Sequence, residues 1–160
     1  MKQICLTTEG ACIRNPGRGG WACVLRFGNQ RKEELFGSEE HTTNNRMELR
    51  AVIEGLKTLR EPCEVTVVTD SQYVKNGITQ WLTEWKAHGW RKKSKGSSGT
   101  REVLNRDLWQ ELEGAMARHE TKWKWVKGHA GHEDNTRCDQ LALMAAQKQL
   151  TSRTRSETQT

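Results

Sequence analysis

The stretch ICLTTEGACIRNPGRGG, residues 4–20, decides how the chain begins to fold. Ile4, Leu6 and Thr8 alternate with Cys5, Thr7 and Glu9, the period-two pattern of a strand with two unlike faces. That strand ends on a lone acid, Glu9, and Asn15-Pro16-Gly17 followed by Gly19 and Gly20 punctuates a turn. Beyond it, WACVLRFG (21–28) predicts a second strand and RKEELFG (31–37) a weaker third, with Gly28-Asn29 as the hairpin signal between them. Three sequential antiparallel strands follow from this reading.

Helical periodicity then takes over. In RMELRAVIEGLKTLR (46–60), Leu49, Val52, Ile53, Leu56 and Leu59 recur on one face, with Thr43 or Asn44 as the cap. Glu48 stands beside that stripe, in what this reading makes the first turn. EVTVVTD (64–70) is a β-branched run typical of a strand covered on both faces, and it too ends on an acid, Asp70. SQYVKNGI (71–78) and TQWLTEWKAHGW (79–90) read as short helices, and RKKSKGSSGTR (91–101) as an exposed basic loop. LNRDLWQELEGAMARH (104–119) reads as a helix, TKWKWVKG (121–128) as a strand and HAGHED (129–134) as a loop. NTRCDQLALMAAQKQL (135–150) reads as a helix with Asp139 early in it. Residues 151–160, TSRTRSETQT, carry no apolar side chain and predict a flexible tail. Antiparallel strands followed by strand–helix alternation imply an α/β fold with a mixed sheet and helices on its faces. No linker or repeat divides 1–150, so one domain is expected there.

Composition sets the bounds. A chain of 160 residues is long enough for one real core. No apolar run approaches the roughly 20 residues of a membrane span, and the N-terminus lacks a signal-peptide pattern, so a cytoplasmic protein is expected. Five cysteines, at 5, 12, 23, 63 and 138, are scattered with no C-x-x-C and read as reduced thiols. His129, His132 and Cys138 fall short of the four closely spaced ligands of a structural zinc. His41, His88 and His119 read as ordinary surface residues.

The formal net charge of +6 suits a polyanionic partner. It is concentrated: no acid interrupts the run from Lys86 to Arg101, which holds Lys86, Arg91, Lys92, Lys93, Lys95 and Arg101, with Trp81, Trp85 and Trp90 interleaved. Such a run is a solvated face anchored by tryptophan, a phosphate-binding patch, or both.

Glu9 and Asp70 end strands, and ligand sites in open α/β sheets lie outside such ends. Glu48 and Asp139 stand near helix starts, where solvation or the helix dipole accounts for any one acid alone. Four acids converging on one end of a sheet would repel one another unless cations neutralised them, and oxygen-only ligation favours Mg²⁺ or Mn²⁺. Two such ions about 3.5–4 Å apart suit in-line attack on a phosphodiester.

The segments GACIRNPGRGGW, TTNNRMEL, TDSQYV with GITQW, WVKGHAGH and RCDQLA together resemble bacterial type 1 ribonuclease H, over residues 7 to about 146. The resemblance implies a ribonuclease H-like fold, with a five-stranded mixed sheet and helices on both faces. It implies a monomeric endoribonuclease that hydrolyses the RNA strand of RNA–DNA hybrids, giving 5′-phosphate and 3′-hydroxyl ends. Two Mg²⁺ ions, with Mn²⁺ as substitute, would be held by Glu9, Glu48, Asp70 and Asp139. His129 would move a proton or help product leave, and His132 receives no chemistry. Cys12, Asn15, Asn44, Asn45 and Gln72 match minor-groove contacts, and Thr43 a phosphate contact on the DNA strand. Trp81, Trp85, Lys86, Trp90, Arg91 and Lys92 fall in the family's basic protrusion, where GSSGTR (96–101) looks like extra length.

One departure stands out. The family reads T-D-G at the first strand end, and this chain reads Thr8-Glu9-Gly10. Glu is one methylene longer, and misplacement by about 1 Å can cost roughly 100-fold in rate. Either the backbone or rotamer of Glu9 compensates and the enzyme works, or the chain is a hybrid-binding module with weak or no cleavage. A DNA-strand resolvase or transposase-like nuclease of the same fold, and a plain basic nucleic-acid binder, are the remaining classes. TTNNRMEL and WVKGHAGH speak against the nuclease rival.

Overall fold

The computed structural model describes residues 1–29, 31–94, 96, 99–127 and 132–148, and the backbone of 152–157. Strands β1 (Lys2–Cys12), β2 (Gly17–Phe27) and β3 (Arg31–Thr42) form the expected antiparallel meander, turned at Gly28 with φ 62°. Helix α1 (Asn44–Lys57) follows, then β4 (Cys63–Thr69), which lies parallel to β1. Next come α2 (Gln72–Asn76), one π-helical turn over Gly77–Trp81, and α3 (Leu82–Ala87), so the two expected short helices run almost continuously. β5 (Arg91–Lys93), β6 (Thr100–Glu102), α4 (Arg106–Ala117), β7 (Glu120–Trp125), α5 (Glu133–Lys148) and β8 (Ser152–Glu157) complete the chain. The main sheet has the order β7-β4-β1-β2-β3-β8.

The strand alternation sorts the core into two layers. Ile4, Leu6, Cys23, Leu25, Val65 and Val67 face α1, whose Leu49, Val52, Ile53 and Leu56 are buried, and α4 adds Leu108, Trp109 and Leu112. On the opposite face Ala22 packs with Leu141 and Ala142 of α5. Gly20 lets α5 come close: a Cβ there would lie 2.2 Å from the Ala142 carbonyl oxygen. Thr43 caps α1, its Oγ1 accepting from the Arg46 N–H at 3.2 Å.

Three expectations are corrected. RKKSKGSSGTR is not only loop: Arg91–Lys93 and Thr100–Glu102 pair as a small antiparallel hairpin, and the Arg91 guanidinium bonds both Oγ1 and the carbonyl of Thr100 at 2.8 Å. The composition of 151–160 predicts a flexible tail, yet Ser152–Glu157 pairs antiparallel with β3 and makes the five-stranded sheet six-stranded. A backbone ladder on an open strand edge needs no apolar side chain, so composition carried no sign of it. His119 is no ordinary surface residue. Its Nδ1 accepts from the Cys63 N–H at 3.0 Å and its Nε2 lies 3.2 Å from the Leu56 carbonyl, tying the end of α1 to the start of β4.

Candidate active site

The parallel register of β1 and β4 carries Glu9 to Asp70. The last paired residues are Thr7 and Val68, and two positions further on each segment come the two acids. Glu48 reaches them from α1, where it lies in the second turn; the first turn carries no acid, so the helix dipole does not account for it. One carboxylate oxygen from each of Glu9, Glu48 and Asp70 lies within 4.8 Å of the other two. Glu9 and Glu48 are each 4% exposed, and Asp70 is half-buried. Gly10 permits this crossing, and its N–H donates to Glu48 Oε1 at 3.1 Å.

A buried carboxyl this close to other acids is costly to ionise, and Glu9 and Glu48 are both buried. Burial, then the charges of Glu48 and Asp70, push the Glu9 carboxyl far above its usual range. Burial is also the largest cause raising Glu48, with Asp70 and Asp139 adding to it and the Gly10 N–H opposing. Glu48 Oε2 is buried with no hydrogen-bond partner among the described residues. An all-oxygen donor set with an orphaned buried oxygen fits a hard divalent cation, which supplies the positive charge the protein withholds.

Helix α5 brings the next two groups. Asp139 is half-buried and its charge raises Glu48, but among the described residues it stands outside the tight group of three. One turn earlier, the buried Asn135 donates from Nδ2 to Glu9 Oε2 at 3.1 Å. Sequence reading missed Asn135, although its i,i+4 spacing to Asp139 places both on one helix face. Arg26 grips Asp134 at 2.6 and 2.8 Å, and Arg137 grips Glu34 at 2.7 and 3.1 Å, fixing α5 to β2 and β3. His129 lies outside the described residues. His132 adjoins the start of α5, its carbonyl accepting from the Thr136 N–H at 3.0 Å.

A sequence model described as RNase H matches residues 1–147. The chain belongs to the RNase H family. The Ribonuclease H of Solibacter usitatus is 54% identical over 152 residues, 95% of this chain and 100% of that protein. The Ribonuclease HI of Neisseria meningitidis serogroup B is 55% identical over 143 residues, 89% of this chain and 94% of that one. Among solved structures, LC9-RNase H1, described as a type 1 RNase H with the type 2 active-site motif, superposes with a TM-score of 0.84 at 30% identity. That match covers 98% of this chain and 78% of the other. RNases H are metal-dependent nucleases, and the acidic cluster accords with that.

In this RNase H, the other residues singled out from the sequence surround the sheet end in two groups. Asn15 Oδ1 accepts from the Asn44 N–H at 3.2 Å, so the β1–β2 turn and the start of α1 are held together. Cys12 lies between strand ends, its Sγ 3.5 Å from the Thr42 carbonyl and 3.7 Å from that of Gly17. Asn45 is half-buried in the first turn of α1, and the exposed Gln72 donates to Asn76 Oδ1 at 3.0 Å. The second group is structural as well as basic. Trp81, Trp85 and Trp90 form an aromatic chain with Tyr73 and Trp109, with ring centroids 5.4–6.3 Å apart, and Trp90 is only 9% exposed. Lys86 turns to Glu113 at 2.6 Å, while Arg91 and Lys92 stay exposed on the hairpin. Tyr73, Trp85, His88, Lys92 and Leu104 help line a groove of about 790 Å³ beside that hairpin. Lys95 lies outside the described residues.

Proposed function

We propose that the chain hydrolyses the RNA strand of RNA–DNA hybrids as an endonuclease, giving 5′-phosphate and 3′-hydroxyl ends. The observation that carries this reading is the meeting of Glu9, Glu48 and Asp70, from three separate segments, in one tight carboxylate group. Those three and Asp139 would hold two Mg²⁺ ions, or Mn²⁺ in their place. When bound, such ions supply Lewis acidity at a phosphoryl oxygen and lower the pKa of attacking water.

The chain's own residues do the rest. The buried carboxylates fix where positive charge sits, and hence where the scissile phosphate settles. His129 takes or gives a proton as product leaves, a task suited to imidazole near neutral pH. Asn15, Asn44, Asn45 and Gln72 offer amide donors and acceptors to 2′-hydroxyls and base edges, with Cys12 beside them, and Thr43 contacts a DNA phosphate. The hairpin with Arg91 and Lys92, seated on Trp81, Trp85 and Trp90 beside Lys86, gives salt-dependent grip without base reading. The reading takes the protein as a monomer working in the cytoplasm; no described helix is long and apolar enough to cross a membrane.

Glu9 keeps a second reading alive, a hybrid-binding module that cuts weakly. The Asn135 hydrogen bond that holds Glu9 inward, and a related type 1 enzyme described with another active-site motif, both favour the cutting enzyme. A labelled hybrid with Mg²⁺, then Mn²⁺, separates the two. Native cleavage of the RNA strand, lost in Asp70→Asn, supports the enzyme. Binding without cleavage, restored by Glu9→Asp, supports the module.

A further inference from the structure

We propose that Asn135 is a positioning residue that sets the reach of Glu9, and that the two work as a matched pair. This rests on the reading of Glu9, Glu48 and Asp70 as cation ligands. A glutamate at position 9, within β1 and just past its pairing with β4, has one more torsion than an aspartate, so its carboxylate needs a constraint to stay in one place. Asn135 supplies it: both residues are buried, and the amide Nδ2 donates to Oε2 at 3.1 Å.

Asn135 can act as a constraint because its helix is itself fixed. One residue before it, Asp134 is held by Arg26 through two bonds of 2.6 and 2.8 Å. Two residues after it, Arg137 holds Glu34 through bonds of 2.7 and 3.1 Å. Cys138 Sγ then lies 3.3 Å from the Thr7 carbonyl, on the strand that carries Glu9. An aspartate at position 9 would draw its oxygens back by one C–C bond, about 1.5 Å, beyond hydrogen-bond reach of an unmoved Asn135. The pairing therefore belongs to glutamate.

The test is a double-mutant cycle of Asn135→Ala and Glu9→Asp, read by calorimetric Mn²⁺ titration of the metal-free chain and by kcat and KM on a hybrid. Asn135→Ala is expected to weaken Mn²⁺ binding about tenfold or more in the native background, and to lower kcat while KM for the hybrid holds. In the Glu9→Asp background the same change is expected to shift Mn²⁺ affinity less than about twofold. Equal losses in both backgrounds, or no loss in the native one, overturn the proposal. Asn135→Leu, which keeps the volume and removes the donor, serves if the alanine variant does not fold. If neither folds, NMR exchange of the Asn135 side-chain amide decides: slow in the native chain and fast in Glu9→Asp supports the pairing, and equal rates overturn it. A native chain that takes up no Mn²⁺ overturns the functional reading and this inference together. One that binds Mn²⁺ but ignores Asn135→Ala overturns the inference alone.

Discussion

The N–H of Gly10 and Oε1 of Glu48 meet across 3.1 Å because residue 10 has no side chain: a Cβ there would lie 2.5 Å from the Glu48 nitrogen and 2.7 Å from the Met47 carbonyl carbon. Both obstructing atoms are backbone, so nothing flexible can yield. Gly10→Ala is expected to cost at least about 2 kcal/mol in urea unfolding, since overpacking here must separate β1 from α1. It should also weaken Mn²⁺ binding by displacing Glu48.

The carboxylate cluster predicts an unusual pH response of the metal-free protein. Glu9 and Glu48 have folded-state pKa values raised above their unfolded ones. Their contribution to stability is therefore fully present below the ordinary carboxylate range and is lost as pH rises through the raised values. In chelator, the melting temperature should fall between about pH 5 and pH 9, and Glu48→Gln should flatten that fall. Added Mg²⁺ should restore stability most at the alkaline end, because it binds the ionised cluster.

The Arg26–Asp134 pair works in the opposite direction. Arg26 is the main cause that lowers the Asp134 pKa from its ordinary 3.8. That stabilisation is present above the unfolded value and is lost as pH falls through the folded one. Arg26→Ala leaves the largely buried Asp134 without its partner. The expected cost is about 1–3 kcal/mol, discounted because the Arg26 side chain is 34% exposed. Chemical denaturation at about pH 7 and pH 3 should show the variant's deficit shrinking in acid.

His119 adds a second acid-sensitive joint. Burial is the main cause lowering its pKa, and in the neutral form Nδ1 accepts from Cys63 while Nε2 donates to Leu56. Protonation would face an N–H with the Cys63 N–H. Stability from this contact is complete above the unfolded value of about 6.5 and is lost as pH falls below it. His119→Ala should cost about 1–2 kcal/mol near pH 8 and less near pH 5 by thermal or urea unfolding.

The hairpin should govern grip rather than chemistry. Replacing Arg91, Lys92 and Lys93 by alanine is expected to raise KM for a hybrid with kcat nearly unchanged. The slope of log affinity against log salt should fall by about one for each phosphate that the variant no longer neutralises. A lower kcat at unchanged KM would contradict this role.

Much of this protein could be read directly from residue order. Period-two alternation from Ile4 to Glu9 and 3.6-residue periodicity from Leu49 to Leu59 report burial on one face, which is a local property of the chain. Thr43, one of the two caps the sequence offered for α1, was legible for the same reason, because its side chain satisfies a helix-start amide. Asp70, just past β4, already pointed at the sheet end; Glu9 was expected to end its strand but lies inside β1, which runs on to Cys12, and it meets Asp70 because the pairing of β1 with β4 stops at Thr7. Long-range packing decided the rest. Nothing near Glu9 in the sequence says that an amide 126 residues away will hold its carboxylate, or that α5 will stand close enough to do so. Nothing in a charged, apolar-free segment foretells that 152–157 will find the open edge of β3, because backbone hydrogen bonding is blind to side-chain type. The longer acid at position 9 was visible at once; whether it could sit among Glu48 and Asp70 depended on which donor the fold placed opposite it.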